Sequence, residues 1–568
     1  MVLLWFDTHP VCYWSIAWSS FGALLFAALI PILGEIFPSL DRRLPRRRFP
    51  VWLFCALLAV TLFAFRWPLF FFEAELNPDE SQLIAGAITL QHDPVFWRSV
   101  NGATYGPLDE YPLLLARLFF LPLDYGSARL VGTLLMLGTL FSTYRLLVHA
   151  FGDAVARVGL LPLASFLSFL TFWDLVHYSS EHVPVALLAL AMAMLGGELV
   201  RADPKPRWSW CRLVGGIALG AAPYAKLQTG PIAAAVFIAV ILLDAYARPR
   251  VWRRFLARTA TLMAGALLMP LGFLVMTLLS GTTEYAWRTY ILQNLVYAGD
   301  HHFSHSAMLA GFVEYLKVAD GLYPFLAGCA VATLAGAGFA LKFTARTRHL
   351  LFLACALALA SFVAVLFPGR RYTHYLLLLV VPAATLGAGI FGGCWEILRN
   401  RPTRILLLAA FCLVGILPQI LSSGQRAHPQ LGHLRESQAS ARGEVARLIL
   451  QHAKPGESLG QWGWMPRYHV QTRMPHATPE GNSVLEIAGS PQRDFYREHY
   501  LARLQAAPPP VFIDSVGPGS FVFENRSETG HETWEELADF IAARYELIAD
   551  TAGTRIYLRK DRLPSVSP

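Results

Sequence analysis

The sequence predicts a polytopic α-helical membrane protein of about 12 spans, with a small α/β unit at its C-terminal end. Three observations carry that reading. Of 568 residues, 55% are hydrophobic and 15% are charged, with a mean hydropathy of +0.43; soluble domains carry about a quarter charged residues. The apolar residues come in runs of roughly 17–25, the length that crosses a bilayer as helix, and the runs lack the polar face of a soluble core helix. Lys and Arg gather in short clusters between the runs, the signature of membrane orientation. The net charge of +8 is thus accounted for without nucleic acid, and none is expected as a partner.

The first run covers residues 12–37 and is too long, with too little basic sequence before it, for a cleaved signal peptide. Arg42, Arg43, Arg46, Arg47 and Arg48 follow, and the positive-inside rule assigns them to the cytoplasm. A second run, 50–72, then delivers residues 73–115 to the outer face. Further spans are predicted near 127–148, 158–174, 183–199, 210–225, 229–245, 259–280, 321–341, 350–367, 373–393 and 404–421. With that count the basic loops RADPKPRWSWCR, YARPRVWRRFLAR and RNRPTR all fall inside, while the long mixed loop Gly281 to Asp320 falls outside. Arg370 and Arg371 break the rule. Two outer cations beside a membrane exit are placed to hold a phosphate at headgroup level.

The chain divides at residue 424: a transmembrane catalytic unit over 1–424, then a soluble extracytoplasmic α/β domain over 425–568. In the second part polar residues rise, and Pro and Gly punctuate short elements. Ser437 to Gln451 reads as one amphipathic helix, Ser458 to Trp462 and Pro510 to Ser515 as strands, Arg493 to Leu504 and His531 to Arg544 as helices. Tyr545 to Asp550 and Thr554 to Arg559 read as a terminal hairpin. All seven cysteines lie in or beside apolar runs before residue 424, with no CxxC spacing, so neither disulfides nor a zinc site is implied.

The outer loop 73–115 is the stretch that carries chemistry. It holds Glu73, Glu75, Asp79, Glu80, Asp93, Asp109 and Glu110, in a chain that otherwise spends charge sparingly. Asn77-Pro78-Asp79-Glu80 on its own reads as a helix start, since acids in a first turn are common. Asp109-Glu110 reads the same way.

The setting adds to that. NPDE opens the first outer loop, and NGATYGPLDEYPLL leads into a second amphipathic segment. HYSSEHVP at 177–184, AYAKLQTG around Lys226, and GRRYTHYLLLLVVP at 369–382 follow in order. A tail with GQWGWMPRYHVQTRMP closes the series. This arrangement resembles the C-superfamily membrane glycosyltransferases, in particular the bacterial members similar to protein O-mannosyltransferases and lipid A aminoarabinose transferases (the family 39-like group). The resemblance covers nearly the whole chain except the first span.

The resemblance implies Asp79 as catalytic base with Glu80 as its partner, and Lys226, Arg370, Arg371 and His374 as contacts of the donor phosphate. Glu181, Asp109 and Glu110 are candidates for sugar or acceptor contact. Several members hold a divalent metal near the acidic pair, so the resemblance leaves room for one; the His and Asp spacing here singles out no ligand set, and none is assigned. The implied reaction is inverting transfer of a monosaccharide from a polyprenyl-phosphate donor to a cell-envelope acceptor (glycan, lipid A or protein). It would run on the extracytoplasmic, periplasmic face of the inner membrane. The physical demands match: a base for the acceptor hydroxyl, cations for the departing phosphate, and a lipid carrier because nucleotide sugars stay in the cytoplasm. A transporter or flippase for lipid-linked glycans is the alternative. Transporters place ionisable residues near the bilayer midplane in broken helices, and few candidates stand there.

Overall fold

The structure is a computed structural model that describes residues 5–37, 49–200, 209–247, 252–300, 302–319, 321–424 and 428–563. The Arg42–Arg48 cluster, most of the 201–212 loop, residues 248–251 and His301 lie outside the described residues.

Apolar helical segments stand where the spans were expected. Among the described residues, nine are long and apolar enough to cross a bilayer: Pro10–Ile36, Val51–Phe70, Tyr125–Phe151, His182–Leu199, Leu227–Tyr246, Trp252–Ser280, Ala345–Leu366, Thr373–Ile397 and Arg401–Ser422. Asp153–Phe169, Trp210–Ala221 and Leu322–Ala337 occupy the remaining expected positions as shorter helices. The chain is a multi-pass membrane protein. Thr373–Ile397 is the most enclosed of the spans, wrapped on all sides by other helices.

Charge within the bundle collects at the two ends of the helices. At the end away from the acidic loop, Arg212 pairs with Glu198 at 3.1 Å and with Asp244 at 2.5 Å, and Arg258 pairs with the same two acids at 2.7 and 3.2 Å. All four side chains are buried, and each charge has an opposite neighbour, the condition under which ions survive away from water.

At the other end, residues 428–563 form a small mixed unit. Its sheet has the order β1-β2-β4-β3, with β1 Leu459–Trp462, β2 Val511–Asp514, β3 Tyr545–Thr551 and β4 Thr554–Arg559. β1 and β2 are parallel; β2–β4 and β3–β4 are antiparallel, the last pair being the expected hairpin. The helix expected over Ser437 to Gln451 is two helices, Leu434–Ala439 and Glu444–His452. Gly443, in extended backbone as the cap of the second, separates them.

This unit sits directly on the acidic loop. The His476 amide donates to Thr89 Oγ1 at 2.9 Å, Asn482 Nδ2 to Gln82 Oε1 at 2.9 Å, and the Asn101 amide to the Pro479 carbonyl at 2.7 Å. Tyr285 Oη donates to Glu480 Oε1 at 2.6 Å from the long 281–320 loop. The loop and the sheet unit therefore share one end of the bundle.

Candidate active site

The acidic loop leaves Val51–Phe70 and enters the helix Pro78–His92. Asn77 caps that helix, its Oδ1 accepting from the Asp79 amide at 2.8 Å, and Pro78 at the first position presets the backbone. The intervening turn is organised by one cation. Arg129 donates to the carbonyls of Leu69 (3.4 Å), Phe72 and Ala74 (2.7 Å), and to both oxygens of Glu80 at 2.9 and 2.6 Å.

That geometry revises the expected role of Glu80. Its carboxylate is shut off from solvent, held in a two-pronged pair with Arg129 and accepting from the Tyr178 amide at 3.0 Å. Consecutive helical residues diverge by about 100°, so Glu80 turns inward while Asp79 turns outward. Glu80 fixes the loop and does not face the same space as Asp79.

Asp79 is half-exposed, with Oδ2 4.0 Å from His374 Nε2. On its far side His374 Nδ1 lies 3.2 Å from Asp174 Oδ1. Asp174 is buried and crowded with donors: Asn77 Nδ2 at 2.6 Å, the His374 amide at 3.1 Å, and the Thr373 hydroxyl. Burial alone would raise its carboxyl, yet His374, His177 and Thr373 outweigh that and hold it well below the usual carboxylate range. An ionised Asp174 accepts from Nδ1–H and directs Nε2 toward Asp79.

Beside His374 runs a ladder in which two cations flank two tyrosine rings. Lys226 Nζ lies 4.3 Å from the Tyr375 ring centre. Tyr375 Oη and Tyr297 Oη are 2.9 Å apart, and the Arg370 guanidinium lies 4.2 Å over the Tyr297 ring. Lys226 donates to Ser180 Oγ at 2.9 Å and is ion-paired with Glu181. Burial pushes the Glu181 carboxyl up, but Lys226 more than reverses this and holds it at about 2. Arg370 contacts His302 Nε2 and reaches Asp300 Oδ2 at 3.2 Å, close to the surface. His374 lies within electrostatic reach of both Glu181 and Lys226, so the ladder and Asp79 meet at this histidine.

Three expected contacts fall elsewhere. Arg371 turns away from Arg370: it is exposed, 4.4 Å over the Phe303 ring, and donates to the Ala307 carbonyl at 3.3 Å. Asp109 and Glu110 open the helix Pro107–Arg117 and are both fully buried. Glu110 accepts from Tyr105 Oη at 2.9 Å and packs so closely on Gly86 that a Cβ there would lie 1.9 Å from its Oε1. Burial drives both carboxyls well above the usual range; Lys226, within reach of Asp109, opposes this in part. Neither acid faces the open side of the loop, so direct sugar or acceptor contact is not the role their placement fits.

Among the described residues, the donors around Asp79 do not assemble a metal ligand set: His374 Nε2 is at 4.0 Å, and Glu75 is occupied by the Ser81 hydroxyl. One clustered set of three, Asp514, His531 and Glu532, lies in the sheet unit. Arg526 at 2.8 Å from Asp514 and Arg555 at 2.7 Å from Glu532 already neutralise it.

Arg129, Tyr297 and Tyr375 join the site from outside the expected residues, and Asp174 and His302, given no role from sequence, contact His374 and Arg370. Tyr375 lay in view within the RRYTHY stretch, and Asp174 stood alone as an acid at a span exit. Arg129, a cation about one turn into the apolar helix Tyr125–Phe151, is the clearest such signal.

No protein-family model matches the chain, and no curated protein matches it in sequence. Solved structures do match in fold. ArnT from Cupriavidus metallidurans bound to undecaprenyl phosphate superimposes with a TM-score of 0.57 and 13% identity, covering 91% of this chain and 99% of that one. The same protein in the apo state gives a TM-score of 0.50 and 16% identity, covering 88% and 97%. The chain therefore has the fold of these structures over most of its length.

Proposed function

We propose that this protein transfers a monosaccharide from a polyprenyl-phosphate carrier to a hydroxyl of a cell-envelope acceptor, at the extracytoplasmic face of the cytoplasmic membrane and with inversion at the sugar. The observation that carries the reading is the meeting of Asp79 with the cation ladder at His374. A half-exposed carboxylate and nearby cations, both within reach of one histidine, are what a displacement between a hydroxyl and a lipid phosphate requires. The match to a structure holding undecaprenyl phosphate supports the carrier class.

In this mechanism Asp79 accepts the proton of the acceptor hydroxyl. The oxygen attacks the anomeric carbon, and the bond from that carbon to the phosphate oxygen breaks. The carrier phosphate departs with the electron pair. Lys226 and Arg370 offset its charge, with the hydroxyls of Tyr375 and Tyr297 between them as donors. His374, oriented by Asp174, holds the space between base and leaving group. Glu181 pairs with the buried Lys226 and holds it in place. Charge gathered at the helix ends, and not along their middles, argues against the flippase alternative.

The test is transfer from a polyprenyl-phosphate sugar to envelope extract by purified protein in lipid nanodiscs. Asp79→Asn should abolish transfer while leaving binding of undecaprenyl phosphate within about twofold of wild type. Retained transfer in that variant would overturn the assignment of the base.

A further inference from the structure

The first span lies outside the sequence resemblance, and its outer head makes contacts that the reaction does not explain. Trp5–Thr8 is a short helix above Pro10–Ile36. Phe6 packs edge-on against Trp67 at 6.1 Å between ring centres, and Tyr13 Oη donates to the Phe65 carbonyl at 2.9 Å. Asp7 projects from this head onto a segment 425 residues away. Its carboxylate accepts three backbone amides: Gly432 at 2.7 Å, Leu434 at 3.1 Å and Arg435 at 3.3 Å. Gly432, with φ of +95°, supplies the reversal that turns these amides to one point.

The segment so gripped, 428–439, crosses the exit of the second span. His428 and Leu434 are buried beneath it. Ser437 Oγ accepts from the Glu73 amide at 3.1 Å, and Gln438 Nε2 donates to the Phe71 carbonyl at 3.3 Å. Phe71 to Ala74 is the turn whose next carbonyls are held by Arg129, and Arg129 holds Glu80, the neighbour of Asp79. An unbroken series of contacts thus runs from Asp7 to the catalytic loop.

We propose that Asp7 is a positioning residue: through the 428–439 strap, the head of the first span fixes the 71–80 turn and so the placement of Asp79. The proposal rests on the reading of Asp79 as base for its catalytic consequence, but not for its structural one. The strap also joins the last span to the sheet unit, so the same latch sets where that unit sits on the helix Pro78–His92.

Two measurements on the full chain in nanodiscs test this. Hydrogen–deuterium exchange of peptides covering 428–439 and 71–80 should be about tenfold faster in Asp7→Ala, and intermediate in Asp7→Asn, whose single carbonyl oxygen still accepts. Exchange in Thr373–Ile397 should be unchanged. In the transfer assay Asp7→Ala should lower kcat by about tenfold with the donor KM within about twofold, since the carrier site does not include the strap. Wild-type exchange across 428–439 in Asp7→Ala would overturn the latch. Faster exchange confined to 428–439, with 71–80 unaltered, would overturn the link to Asp79. Absence of transfer by the wild-type protein would count against the proposed function alone, because the exchange result decides the latch independently.

Discussion

Arg129 and Glu80 meet at 2.6 Å with both side chains wholly excluded from solvent. A buried pair of this kind gains little over an apolar replacement, but breaking it strands a charge and costs about 3–5 kcal/mol. Glu80→Gln should therefore lower the thermal midpoint sharply, and Arg129→Met combined with Glu80→Leu should recover much of the loss. Asp79→Asn, at a half-exposed position, should stay within about 0.5 kcal/mol of wild type. Melting curves of the four proteins in one detergent check this. Equal destabilisation by the changes at 79 and 80 would contradict the division of labour between them.

The helices were legible because bilayer length and hydropathy are properties of contiguous sequence. The helix start at Pro78 was legible because Asn77 and Pro78 announce it. The fate of Glu80 was not, since its burial depends on Arg129, 49 positions away. Arg370 and Arg371 are indistinguishable as letters; Tyr297 and His302 claim one, and Phe303 and Ala307 the other. The 437–451 segment divides at Gly443, an extended residue that the helical periodicity passes over.

Asp174 orients His374 through Nδ1, the nitrogen that faces away from Asp79. Asp174→Asn would free the ring and alter which nitrogen carries the proton. We expect kcat to fall by about tenfold or more while undecaprenyl phosphate binding is kept. The pH profile of kcat should change shape, a signature that loss of packing alone would not give. An unchanged profile would remove His374 from the chemistry.

Of the two adjacent arginines, only Arg370 joins the row with Lys226 that is proposed to hold the donor phosphate. Arg370→Ala and Lys226→Ala should each weaken binding of undecaprenyl phosphate by about tenfold, the value of one charge-assisted contact. Arg371→Ala should change it by less than about twofold, since that guanidinium is exposed and packs on Phe303. Lipid-phosphate titrations followed by intrinsic fluorescence distinguish these outcomes. An equal loss from both arginines would mean that the pair acts as a unit.

Glu73, under the strap, gives the loop a dependence on pH. Burial, with Asp124 adding to it, raises its carboxyl from 4.5 to about 7. The folded protein therefore holds this proton over a range in which the unfolded chain has lost it. The stability it confers is complete below about pH 4.5 and is lost as pH rises through about 7. Because the group is partly exposed, the amount is about 1–2 kcal/mol, well under what the full shift would give. Glu181 works in the opposite sense: held at about 2 by Lys226, it contributes above its ordinary value of 4.5 and fails only in strong acid. Between pH 5 and 8 Glu73 is thus the one of the two that titrates. Glu73→Gln, neutral throughout, should melt at a temperature that falls less than wild type across this range, and the protection of the 71–80 peptide, taken relative to the intrinsic exchange rate at each pH, should no longer vary with pH. Parallel curves for the two proteins would show that Glu73 ionises as freely in the folded loop as in the unfolded chain.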